Sequence, residues 1–255
     1  MNKFLQRWAV FAGLVAVWEA LGLLADDPFF PPPSEIAVAA WEWWVLEPEN
    51  LTDHVLPSIG RLLAAWAIAS VIGVALGLLL GRSDRAMEYA NPLLVFLRSI
   101  PPPALVPVFL LLFKVGTSMQ VATIVFGVIW PVLLNSVDGA RSVDVTKVDT
   151  SAVFQIRRAQ WVFGVVLPAA SPKIFAGLRV SLSLSLVLMV ISELVAADNG
   201  IGWQLMQAQR DFDYTRMWAG VVLLGVLGYG LNTALLAVER RALAWQPRSR
   251  DEQHA

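Results

Sequence analysis

Bond-making chemistry at an active site needs nucleophiles, general bases or metal ligands at set spacings, and this chain of 255 residues offers few. Its histidines are His54 and His254, and it has no cysteine. A serine–histidine triad therefore has no placed base, and no HExxH zinc helix occurs. Disulfides, thiol catalysis and cysteine-held metals are excluded. A phosphate loop of the form GxxxxGK(S/T) is also missing. The nearest stretch, Gly77-Leu78-Leu79-Leu80-Gly81-Arg82-Ser83, has the wrong spacing. The sequence thus predicts no catalytic residues, no metal ligands, no cofactor held by the chain itself and no ATP hydrolysis by the chain alone. No basic, aromatic-interleaved stretch suggests a nucleic-acid partner.

The residues that stand out suit passage of a solute. Ile100-Pro101-Pro102-Pro103, with Pro107, interrupts an apolar stretch. Such backbone survives in lipid only where protein or a water-filled cavity covers it, and broken helices commonly border transport pathways. Arg98 lies beside this break, where a cation is costly unless used or paired. Ser181, Ser185 and Ser192 share one helical face, which lines a polar pathway or bonds a neighbouring helix; helix contact is the commoner outcome. Glu193 follows, an acid near the membrane, but its place at the outer end of its span makes ionisation cheap there and lowers its weight. The pathway candidates are Arg98, Pro101, Pro102, Ser181, Ser185 and Glu193.

The elements that must position these residues are membrane helices. Hydrophobic residues make up 57% of the chain and charged residues 15%, against about a quarter charged in soluble domains. Six apolar stretches reach the ~20 residues that a spanning helix needs: Trp8–Leu24, Ile59–Leu80, Pro92–Phe113, Met119–Val137, Ile174–Val195 and Met217–Val238. The first is read as a retained span, because Ala25-Asp26-Asp27-Pro28 is no cleavage site. Lys3 and Arg7 precede the first span, while Ala25–Ser58 has no Lys or Arg but carries Asp26, Asp27, Glu35, Glu42, Glu47, Glu49 and Asp53. Arg82 and Arg85 follow the second span. Arg141, Lys147, Arg157, Arg158 and Lys173 follow the fourth, and Arg240, Arg241, Arg248 and Arg250 the sixth. The positive-inside rule puts both termini in the cytoplasm, with Arg98, Lys114, Arg210 and Arg216 as exceptions.

Outside the spans, Ser34 with Glu35 reads as the start of a short helix, Ile36–Leu46. Its Trp41, Trp43 and Trp44 favour the membrane interface. Gly73, Gly77 and Gly81 form a small-residue stripe for close helix packing. Residues 138–173 read as short amphipathic helices that dock on a partner or lie on lipid.

Asp149–Pro168 resembles the cytoplasmic signature of permeases in binding-protein-dependent ABC importers. Asp149, Thr150 and Ser151 take its acidic-Ala-Ala start, and Val165-Val166-Leu167-Pro168 its close. Gln155 stands in the glycine slot, where it adopts a positive φ less cheaply than glycine. Phe96-Leu97-Arg98-Ser99-Ile100-Pro101-Pro102-Pro103-Ala104-Leu105-Val106-Pro107 is similar to the third-span signature of nitrate, taurine and aliphatic-sulfonate permeases. The early Pro31-Pro32-Pro33-Ser34-Glu35-Ile36, the fifth-span end Ser192-Glu193-Leu194 with Asn199-Gly200-Ile201-Gly202-Trp203, and the basic end Arg240-Arg241 also resemble that family.

The resemblance implies an all-α integral membrane protein of about six spans with the type I ABC importer permease fold, in a bacterial inner membrane. Residues 1–53 would hold the first helix and an external segment, 54–239 the permease core, 138–173 the coupling segment and 240–255 a cytoplasmic tail. The helix around Asp149–Trp161 would couple to an ATPase subunit through Asp149, Thr150, Ser151, Gln155, Leu167 and Pro168. Further implied partners are an extracytoplasmic solute-binding protein and a second copy of the chain in the bilayer. ATP would be used by the ATPase partner. The competing class is a self-sufficient secondary transporter, which would need coupling acids within the membrane.

Overall fold

The computed structural model describes residues 3–25 and 27–245, with side chains from Trp8 onward. Asp26, Arg248, Arg250 and His254, and the side chains of Lys3 and Arg7, lie outside the described residues. All regular elements among the described residues are helical: α1 (Lys3–Ala25), α2 (Pro33–Trp41), α3 (Pro48–Asn50), α4 (Leu56–Gly81), α5 (Asp84–Arg98), α6 (Val106–Phe113), α7 (Thr117–Arg141), α8 (Val145–Val153), α9 (Arg158–Trp161), α10 (Leu167–Val195), α11 (Ile201–Arg210) and α12 (Tyr214–Ala242).

Five helical stretches are long and apolar enough to cross a membrane: Trp8–Ala25, Pro48–Gly81, Thr117–Arg141, Arg158–Val195 and Tyr214–Ala242. A sixth is made if the broken pair Asp84–Arg98 with Pro102–Phe113, bent by 79°, crosses as one span. The break falls at the proline run, which cannot supply backbone donors to continue α5. Two spans begin earlier than their apolar runs suggest, and proline explains both. Pro57 and Pro168 lack N–H groups, and the turn before each widens to π geometry. Leu56 N–H reaches back to Leu51 O, and Leu167 N–H to Val162 O. Each helix thereby carries on through its proline instead of starting after it.

The chain divides into two compact units, Met1–Gly60 with Glu193–Leu227, and Arg61–Ser192 with Gly228–Ala255. In the first, α1 lies against the start of α2. A Cβ on Gly22 would stand 2.9 Å from Pro32 Cα. Trp18 packs on Phe30 and Trp218, at 5.6 and 5.3 Å between ring centroids. Ser34 is not the cap of α2: Pro32 holds that position with no side-chain bond. The carboxylate of Glu19, on α1, accepts the Ser34 N–H at 2.9 Å and the Ser34 hydroxyl at 2.7 Å. The acid within the first span thus satisfies a helix N-terminus. The tryptophan helix also departs from expectation. Trp41 is exposed, but Trp43 and Trp44 are buried, and Arg216 lies 5.7 Å over the Trp43 ring.

In the second unit the glycine stripe on α4 meets α7. A Cβ on Gly73 would stand 3.0 Å from Val132 Cβ, and one on Gly81 2.7 Å from Val137 O. Between them, one on Gly77 would strike Ser136 Cβ and Leu133 O. These backbones approach closely because nothing projects from the α4 face. On α10, Gly177 packs in the same way on Pro131 O of α7, and Arg179 pairs with Glu239 of α12 at 2.6 Å.

Candidate functional site

Residues 144–168 form a helical corner. Asp144 caps α8 by accepting the Thr146 N–H at 2.7 Å, which holds its carboxyl below the usual range. The expected single helix over Asp149–Trp161 is instead two, α8 and α9, separated at Phe154–Arg157. Gln155 adopts φ 51° at the turn. Its N–H bonds Ala152 O at 3.2 Å, and the next N–H, of Ile156, bonds Ser151 O at 3.0 Å. This crossed pair is a Schellman ending, whose left-handed residue is usually glycine. Gln155 therefore makes the turn that glycine would make, at a strain of about 1–2 kcal/mol.

The turn holds apolar side chains in the open. Val153 is 77% and Phe154 74% exposed. Asp149 and Thr150 are exposed beside them, and Ser151 is half-buried. Behind α8 lies a cleft of about 480 Å³, where Thr150, Ser151 and Pro168 meet Trp161 and Trp245. Leu167 opens α10. Of the six residues predicted for coupling, the structure gathers Thr150, Ser151 and Pro168 around this cleft and sets Asp149 and Gln155 on the surface.

The pathway candidates separate into two sets. Arg98 is exposed in the last turn of α5, with no ion pair or hydrogen bond among the described residues. Pro101 and Pro102 make the break just beyond it, Pro102 within Pro102–Leu105, a short 3₁₀ turn. Ser181, Ser185 and Ser192 are fully buried. Each donates to a backbone carbonyl three residues earlier, and Ser181 also accepts the Trp66 indole N–H at 2.9 Å. All three hydroxyls are thus bonded within the chain.

Glu193 departs most from its sequence reading. It is 1% exposed, not at a hydrated end, because the following segment folds back over it. Its Oε1 accepts the Ser58 hydroxyl at 2.7 Å and its Oε2 the Gly202 N–H at 2.9 Å. Ser58 Oγ accepts the Ile201 N–H at 3.0 Å, and His54 Nδ1 the Gly200 N–H at 3.1 Å. Three side chains thus satisfy three successive donors where α11 begins. Gly200, at φ 122°, has no room for a Cβ, which would stand 2.6 Å from Glu193 Oε1. The Ser-Glu-Leu and Asn-Gly-Ile-Gly-Trp segments are two halves of one latch, completed by Trp203 stacking on His54 at 5.1 Å.

Residues 52–243 match the family described as binding-protein-dependent transport system inner membrane component. The chain belongs to that family. This permease is 30% identical over 237 residues to a Bacillus subtilis protein named as an aliphatic sulfonates transport permease, SsuC (92% of this chain, 85% of that one). It is 26% identical to the taurine transport system permease protein TauC of Escherichia coli (92% and 87%). It is 24% identical to the nitrate import permease protein NrtB of Synechococcus elongatus (94% and 90%). The recognition as a multi-pass ABC importer permease of the sulfonate, taurine and nitrate group therefore stands. Its fold matches two crystal forms of the MetNI methionine ABC transporter in inward-facing conformations. Their TM-scores are 0.68 and 0.69, at 19% and 20% identity, over 77% of this chain and 98% of those chains.

Three residues of the permease escaped sequence reasoning. Arg61, inside the second span, is buried and donates from Nε to Thr117 Oγ1 at 3.3 Å. Arg179, inside the fifth, finds Glu239. A charge within an apolar span is itself the signal for both. Trp245, which lines the cleft behind α8, lies past the last span and had no such signal.

Proposed function

We propose that this permease is the membrane-spanning subunit of an ATP-driven importer for a small anion, a sulfonate, taurine or nitrate. Two copies border the pathway, each seated on an ATPase subunit in the cytoplasm, and an extracytoplasmic binding protein delivers the solute. Both termini face the cytoplasm. The chain binds no cofactor, and ATP is consumed by the partner. Closure of the ATPase pair moves the coupling corners as rigid bodies and switches the pathway between inward- and outward-facing states. Residues 54–239 act as the core, with 138–173 as its coupling segment. Residues 1–53 add the first helix with the external segment, and 240–255 a cytoplasmic tail. Arg98, Pro101 and Pro102 border the route, and Arg98 attracts the anion.

The observation that carries this reading is the helical corner itself. Val153 and Phe154 stand exposed on a turn pinned by backbone bonds. Rigid, exposed apolar residues are what a docking interface uses as anchors, and Asp149 beside them adds a charge for register. The test is co-purification of tagged permease from native membranes in gentle detergent, with Asp149→Lys and Phe154→Asp as variants. Wild type brings down an ATPase subunit, while both variants lose it at unchanged amounts in the membrane. If wild type brings down none, the importer reading fails and the secondary transporter takes its place.

A further inference from the structure

Away from the coupling corner, α4 and the start of α10 enclose an apolar groove of about 580 Å³. Val71 and Leu79 on α4, and Phe163 before α10, line it and are 71%, 70% and 70% exposed. Ser70 puts a hydroxyl on the wall, but that group already donates to Trp66 O at 2.6 Å. No charged side chain lines the groove itself.

One end of the groove is basic. Arg82 lies four residues beyond Leu78 of the wall, and Arg158 four residues before Val162, so each sits one helical turn past a lining residue. The Arg82 guanidinium lies 5.6 Å over the Trp161 ring, and its Nη1 donates to Ala140 O of α7 at 3.5 Å, which draws the end of α4 to α9 and α7. Both arginines are exposed. The nearest acid in sequence, Asp84, is held by Arg141 at 3.3 Å, while Arg85 and Arg157 add to the positive charge.

We infer that this groove binds one anionic phospholipid, its acyl chain along α4 and α10 and its phosphate between Arg82 and Arg158. Basic pockets beside apolar grooves at the cytoplasmic face select anionic headgroups in this way. A helix from a second copy would cover the apolar wall but leave the arginines without a counter-charge. A zwitterionic lipid would bring its own cation to them. The inference does not depend on the transported solute.

Native mass spectrometry of the delipidated full chain, titrated with phosphatidylglycerol or phosphatidylcholine, tests it. Phosphatidylglycerol should bind at least tenfold tighter, and each of Arg82→Gln and Arg158→Gln should weaken it about fivefold. Arg158→Gln breaks no side-chain hydrogen bond or ion pair among the described residues, which separates headgroup loss from unfolding. Ala75→Trp, filling the groove without touching charge, should weaken binding too, while Arg240→Gln should not. Equal binding of the two lipids would overturn the site, as would a preference that survives both arginine changes. So would Ala75→Trp breaking self-association with lipid binding intact, which would make the groove a contact between copies.

Discussion

At the scale of single residues, a charged or polar group inside a span is costly unless its bonds are made, and the chain makes them in different ways. Arg179 finds an acid on another helix. Ser181, Ser185 and Ser192 bond their own helix backbone. Glu193 holds the start of α11, and its removal would leave the Ser58 hydroxyl and the Gly202 N–H buried without an acceptor. Each stranded donor costs about 1–3 kcal/mol. Glu193→Ala is therefore expected to lower the melting temperature of purified permease by on the order of 5–10 °C. Glu193→Gln, which keeps one carbonyl acceptor, should fall between the two. An unchanged melting temperature for Glu193→Ala would mean that the latch does not hold the fold. Gly200→Ala should lower it as well, because the new methyl enters the space of the carboxylate.

At the scale of elements, what was legible in the sequence is what depends on chain-local physics. Apolar run length gave the five helices long enough to span and the bent pair, and the proline run gave the break in that pair. The spacing of Gly73, Gly77 and Gly81 gave a packing face and hence the α4–α7 contact. What stayed hidden depends on where the chain returns. Tryptophan suits an interface and a core alike, so nothing local told Trp43 and Trp44 to turn inward. Glu193 looked hydrated because its distance from the span end was counted along the chain, whereas α11 covers it in space. Gln155 was expected to resist a left-handed turn, yet two backbone bonds hold it there. The glycine stripe gives a sharp prediction at this scale. Gly77→Val would drive a side chain into Ser136 and Leu133 and cost about 1–3 kcal/mol as overpacking. Gly225→Val, on α12 with nothing within 4 Å, should leave the melting temperature within about a degree. Equal effects at the two positions would refute close approach as the role of Gly77.

At the scale of the whole molecule, the bent pair of α5 and α6 decides the topology. If α5 and α6 cross the membrane together, there are six spans and the α8–α9 corner faces the side opposite α2. If they enter and leave by the same face, there are five, and the corner and α2 share a side. The charges favour six: Arg141, Lys147, Arg157, Arg158 and Lys173 flank the corner, whereas Ala25–Ser58 has no Lys or Arg. One of the exceptions, Arg216, is partly neutralised where it stands, 3.3 Å from Asp213 and over the Trp43 ring. Because the chain has no cysteine, single cysteines report position without background. Trp41 and Phe154 are exposed and suit replacement. In intact spheroplasts a membrane-impermeant maleimide should label Trp41→Cys and spare Phe154→Cys, and in inside-out vesicles the pattern should reverse. Labelling of both in spheroplasts would leave the α8–α9 corner facing away from any cytoplasmic ATPase. The six-span topology and the importer reading would then fall together, because a solvated apolar corner drives transport only if the ATPase can reach it.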